Sequence, residues 1–116
     1  MFGGFTNEKW NANNNYVYDK NAFIFSLINP ENKPAMLPTK HPEESIYCHP
    51  HYGPTFGKGH DIYISDHSNI NKLSHSLICN TYQHPEYAHN SLEARRFLAG
   101  SEKFCVAEIE VFHKVH

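Results

Sequence analysis

The sequence lacks any apolar run near the roughly 20 residues that a membrane-crossing helix requires. Its longest, residues 22–28, has the length of a strand. The mean hydropathy of -0.61 agrees, and no insertion into a membrane is expected. An excess of positive charge is missing too. Ten Lys and Arg against twelve Asp and Glu leave a formal charge of -2. The one tight basic pair, Arg95-Arg96, reads as a solvated face, so nucleic acid is not an expected partner. Cysteine is sparse: Cys48, Cys79 and Cys105 are odd in number and widely spaced. The start, Met1-Phe2-Gly3-Gly4, has neither the basic nor the apolar region of a secretory signal. The cysteines are therefore expected as thiols in a reducing, cytoplasmic setting. Internal repeats and heptads are absent.

What the chain does have is rings. Eight Phe and seven Tyr in 116 residues suit strands and let a modest domain build its core from a few large side chains. One domain over residues 1–116 is expected at this length. Gly3-Gly4 between aromatic residues reads as a bend or bulge in a sheet. Residues 7–15 are Asn-rich and read as a loop, with Trp10 as its large anchor. Residues 22–28 form the clearest strand, apolar on both faces and expected to be buried on both. Residues 29–34 end it as a turn, and residues 35–42, with further prolines, continue as loop. Residues 45–48 read as a brief strand and residues 52–59 as a glycine-punctuated turn feeding a strand over 61–65. Residues 66–76 are polar and irregular, and 77–82 are expected as a short strand. A helix is expected over 91–98, with Ser91 as N-cap and Gly100 as stop. Residues 104–113 close the domain as a strand, Ile109 and Val111 on one face and Glu108 and Glu110 on the other. Many short strands with frequent turns predict a mainly β (α+β) domain, an antiparallel two-sheet β-sandwich with a short flanking helix.

Taken in order, these segments resemble a TLD (TLDc) domain of the oxidation-resistance protein type, in its protist-like form. The residues that carry the resemblance are Phe2-Gly3-Gly4-Phe5 and Trp10, then Ala22-Phe23-Ile24-Phe25-Ser26-Leu27. They continue with Tyr52-Gly53-Pro54-Thr55-Phe56-Gly57, Gly59-His60-Asp61-Ile62, Phe97-Leu98-Ala99-Gly100-Ser101, Phe104 and Glu108-Ile109-Glu110-Val111-Phe112. A whole TLD domain carries further strands and helices ahead of the glycine pair. The resemblance therefore implies the C-terminal part of the domain, an incomplete sandwich with open strand edges. It also implies a protein-binding module without a reaction of its own, linked to protection from oxidative stress and to V-type proton ATPase subunits as partners. Such modules are often joined to BTB or coiled-coil regions, so activity only within a larger protein is one alternative.

Other chemistries fare worse. Cys48-His49-Pro50-His51 offers three possible zinc ligands within four residues, but ligands so close together seldom reach one tetrahedral ion without a second pair elsewhere, and the sequence has no Cys-x-x-Cys or His-x-x-x-His. Ten histidines thus read as scattered surface residues, with no metal or cofactor. Ser101 or Ser26 with His60 and Asp61 makes a triad only on paper, since neighbours on a strand point to opposite faces. Gly53 to His60 resembles a phosphate loop but lacks the Gly-Lys-Ser/Thr ending and the following helix. Asp61 beside a glycine turn reads as a structural carboxylate bonded to nearby backbone amides. The second functional alternative is a thiol-based antioxidant centred on Cys48, flanked by His49 and His51. Cys105, in a core strand, is expected to be inert packing.

Overall fold

Short apolar stretches cut by glycine, proline and asparagine produce short strands, and the computed structural model describes residues 1–10, 13–29, 31–65 and 73–106. One antiparallel sheet contains β1 (Phe2–Phe5), β3 (Phe23–Ser26) and β4 (Ala35–Pro38), in the order β1-β3-β4. The second contains β2 (Asn15–Val17), β5 (Ile46–Cys48), β6 (Tyr52–Phe56), β7 (Ile62–Ser65), β8 (Ser74–Ser76) and β9 (Lys103–Phe104), side by side in chain order. A 3-10 turn over Pro42–Glu44 precedes β5, and one short helix, α1 (Leu92–Arg96), precedes β9. This is the two-sheet β-sandwich that the sequence pattern predicts.

Register decides which side chains meet between the sheets. In the smaller sheet Gly4, Ile24 and Leu37 lie in one cross-strand row. In the larger, Val17, Ile46, Phe56, Ile62 and Ser76 lie in another. Ile24, Leu37, Ile46, Phe56 and Ile62 are all buried, each stabilising the fold by about 1.5–3 kcal/mol. The two rows touch where a Cβ on Gly4 would overlap the Phe56 ring. Only glycine lets the strands approach this closely. Trp10 closes the same spot, edge-on to Phe56 at 5.4 Å. Phe2 meets Phe104 edge-on at 5.5 Å, joining the first strand of one sheet to the last strand of the other.

A buried carboxylate ties the entry to β1's sheet to the entry to β5. Asp19 accepts the Thr6 hydroxyl at 2.6 Å and the amides of Asn7 at 2.7 Å and Asn21 at 2.9 Å. Its carbonyl accepts the Ser45 hydroxyl at 2.7 Å. Nothing in the sequence marks Asp19, whose partners lie up to 26 residues away.

Several elements differ from the sequence reading. Residues 35–38 form β4 despite Pro38, because the strand lies at the sheet end, where a missing amide is tolerated. Residues 52–56 are a strand with an irregular register between Tyr52 and Thr55, which leaves only residues 57–60 as the turn. The strand expected over 77–82 is displaced to Ser74–Ser76. Cys79 takes a left-handed φ of 75° that no strand accommodates. Asn15 already begins β2. In β3 only Ile24 and Ser26 are buried, while Leu27 and Ile28 beyond it are 49% and 71% exposed. That strand is covered on one face, not both. The helix is as expected in its cap: the Ser91 hydroxyl accepts the Ala94 amide at 3.1 Å. It is shorter, and Gly100 follows it at φ 81°. Residues 11–12, 30, 66–72 and 107–116, with Glu108, Ile109, Glu110 and Val111 of the expected closing strand, lie outside the described residues.

Replacing Gly4 by Ala forces the sheets apart or the Phe56 ring off its rotamer, and should destabilise the fold by about 1–3 kcal/mol. Urea denaturation checks this. Combining Gly4→Ala with Phe56→Leu should recover part of the loss, because it removes the ring that the new methyl meets.

Candidate functional site

The outer face of the six-stranded sheet carries a continuous field of tyrosine and histidine rings. Strand register places Tyr16 of β2 directly opposite Tyr47 of β5, and Tyr63 of β7 opposite His75 of β8. Their ring centroids lie 4.8 and 5.1 Å apart. The β5–β6 turn folds His49 over Tyr52 in a 4.2 Å stack, with His51 5.6 Å from His49. The β6–β7 turn delivers His60, within 5.6–6.1 Å of Tyr47, Tyr52, Tyr63 and His75. His60 sits at φ 62°, and this backbone turn sends its ring outward while the next residue, Asp61, is buried.

The rings are partly exposed, and Tyr16 and His51 are openly so. The His49 Nδ1 accepts the His51 amide at 3.1 Å, so its proton sits on Nε2. The Tyr47 hydroxyl donates to the Asn14 side-chain carbonyl. Burial holds the pKa of His60 below the ordinary value, with a smaller push from His75; burial does the same to His75. Burial also raises the Tyr16 hydroxyl. At neutral pH burial therefore favours the uncharged form of His60 and His75, and the centre of the face is polar and aromatic. Residue composition alone, ten histidines without a pattern, does not reveal it, since the rings come from five separate elements.

Behind the ring field lies Asp61. Its carboxylate accepts the amides of Asn80 at 3.1 Å, Thr81 at 3.0 Å to each oxygen, and Tyr82 at 3.0 Å. The sequence reading of a structural carboxylate agrees with this, although the amides lie 19–21 residues away rather than in the adjoining turn. Gly57, at φ 86°, is required there twice over: a Cβ would sit on the Asp61 carboxylate. The held segment is bonded onward to the smaller sheet. Thr39 bridges Tyr82, and the Lys40 amide donates to the Thr81 carbonyl at 2.9 Å. The Tyr82 hydroxyl donates to the Ser45 carbonyl at 2.5 Å.

The other residues singled out from sequence serve packing. Gly3 lies under the Phe25 ring, Gly53 lies against the Ile64 carbonyl, and Gly59 packs on Asn80. Pro54 sits within β6. Cys48 is completely buried on the inner side of β5, so the exposed thiolate that an antioxidant centre needs is not available there. The expectation for Cys105 is also corrected: it is exposed. Burial pushes the Cys79 thiol upward. One pair escaped the sequence reading altogether. His84, 4% exposed, bonds Glu31 through Nε2 at 2.9 Å and accepts the Glu86 amide on Nδ1 at 3.0 Å. Its ring stacks on Tyr87 at 3.8 Å. Both nitrogens are occupied, which leaves no lone pair to act as a general base. Among the described residues no three His, Cys, Asp or Glu side chains converge as ligands for an ion.

Two outcomes follow from this geometry. Asp61→Asn turns one acceptor oxygen into a donor facing amide donors, and should cost about 1–3 kcal/mol. Burial raises the Asp61 pKa from 3.8 to about 7, against the opposing pull of the amides. Between those values the folded chain holds a proton that the unfolded chain releases, so this contribution is fullest below about pH 4 and fades toward about pH 7. The stability difference between the native chain and Asp61→Asn should therefore widen as the pH falls, as read by denaturation at several pH values. In a thiol-labelling assay under native conditions, Cys105 should react at once, and Cys48 and Cys79 only after denaturant is added. Rapid reaction at Cys48 in the folded chain would contradict its burial.

No curated protein and no solved structure gives a significant match to this chain. The TLDc domain model, in contrast, matches residues 1–115. With the expected sandwich in place and the glycine-aromatic segments at its sheet contacts, the chain belongs to the TLDc domain family.

Proposed function

We propose that this chain is a non-enzymatic protein-interaction module of TLD type, acting in the cytoplasm in oxidative-stress protection or in regulation of the V-type proton ATPase. The observation that carries the reading is membership of the TLDc family over essentially the whole chain. Two structural features support it. The large sheet presents a cluster of tyrosine rings among histidines, and tyrosine gives interfaces contact area with little loss of conformational freedom. The His84–Glu31 pair, the arrangement nearest to a base and its orienting carboxylate, has both imidazole nitrogens occupied. Among the described residues no helix is long and apolar enough to cross a membrane.

Affinity capture with the folded chain as bait, read by mass spectrometry, tests the proposal. Reproducible enrichment of V-type ATPase subunits over a denatured-bait control is the expected result. Enrichment of a different defined complex keeps the module and removes the pump, while no enrichment at all defeats the reading.

A further inference from the structure

We propose that the tyrosine-histidine face of the six-stranded sheet binds a carboxylate-rich protein segment, and binds it more tightly in mildly acidic than in neutral solution. The inference rests on the interaction-module reading and names the surface and the partner chemistry.

The first argument is the chemistry that the face displays. Imidazole N–H and phenol O–H groups are donors, and the His49 proton is fixed on Nε2 by the His51 amide. A carboxylate is the strongest acceptor for such donors, and a charged acceptor about doubles the strength of each bond.

The second argument is what surrounds the imidazoles. His60 is met by Tyr47 from β5, Tyr52 from β6, Tyr63 from β7 and His75 from β8. None of these is an acid. His75 faces Tyr63 and His60, bonds the Leu73 backbone, and feels Glu102 and Lys103, which oppose one another. At the other border Glu44 is paired with Lys58 at 3.4 Å, beside Tyr16. Among the described residues the carboxylates at the two margins are thus matched by cations of the chain, Glu44 by Lys58 and Glu102 by Arg95 at 3.7 Å. A proton taken up by His60 or His75 is not neutralised within the ring cluster, and burial disfavours it in the unbound chain. A partner's carboxylates supply the missing counter-charge. By linkage, whatever binds the protonated ring more tightly must itself bind more tightly as the pH falls.

The third argument is order. The rings are held against one another by strand register and two tight turns, so little side-chain freedom remains to be lost on docking.

The test uses the full chain and three synthetic peptides of equal length, one glutamate-rich, one lysine-rich and one uncharged. Binding is measured by calorimetry at about pH 5.5 and about pH 7.5, either side of the ordinary imidazole range. The glutamate-rich peptide should bind best and gain about fivefold or more in affinity at the lower pH. Chemical shifts should locate it on the rings, with the His60 and His75 titrations moving upward when it is added. The triple variant His49→Gln, His60→Asn and His75→Gln should abolish the pH gain; Asn suits the left-handed backbone at position 60. Should that variant fail to fold, His75→Gln alone, which leaves the turn at position 60 untouched, should still reduce the gain. Equal binding of all three peptides, a gain that survives the variants, or self-association through the same rings overturns the inference. Lysate capture in parallel separates the two ideas. Capture that persists in the triple variant leaves the module reading standing and this face refuted, whereas peptide binding without any captured complex refutes the module reading alone.

Discussion

One carboxylate holds the sandwich in register with itself. Asp61 leaves the β6–β7 turn pointing inward and grips three successive amides, Asn80, Thr81 and Tyr82. That segment runs beside the end of the smaller sheet through Thr39, Lys40 and the Pro38 carbonyl. The two sheets are therefore fastened by a buried polar contact as well as by apolar packing. Burying a carboxylate is unfavourable, and its raised pKa expresses that; the amides offset the penalty because each would otherwise be buried without a partner. Asp19 repeats the device on the other side, with Thr6, Asn7 and Asn21.

The ring field depends on this fastening. His60 turns outward because the turn that carries it must present Asp61 inward, and the left-handed φ at His60 performs the reversal. Phe56 and Ile62, on either side of the same turn, face the core, while Tyr63 pairs with His75 on the outside. A single turn thus separates the apolar interior from the polar aromatic exterior. The surface offered to a partner is fixed by the same bonds that hold the core.

Legibility in the sequence followed the range of the forces involved. The helix cap at Ser91, the stop at Gly100 and the strand around Ile24 depend on neighbours a few residues away, and they were readable as such. Gly4 was legible as an unusual residue; its use, clearance for a ring 52 positions later, was not. The strand placed over 77–82 went wrong because backbone amides that look ready for a ladder are taken by Asp61, about 20 residues earlier. Flanking histidines raised Cys48 as an alternative redox centre, but strand alternation puts its thiol inward with Ile46, and the histidines belong to the turn that follows. Cys105, expected in a core strand, is exposed.

The sequence by itself determined the fold class, the family and the lack of an apolar run long enough for a membrane-crossing helix, because those depend on composition, alternation and short motifs. Only tertiary structure decided which rings share a face, which carboxylate is buried and which thiol is reachable. Each of those is settled by strands distant in the chain lying side by side at one particular register.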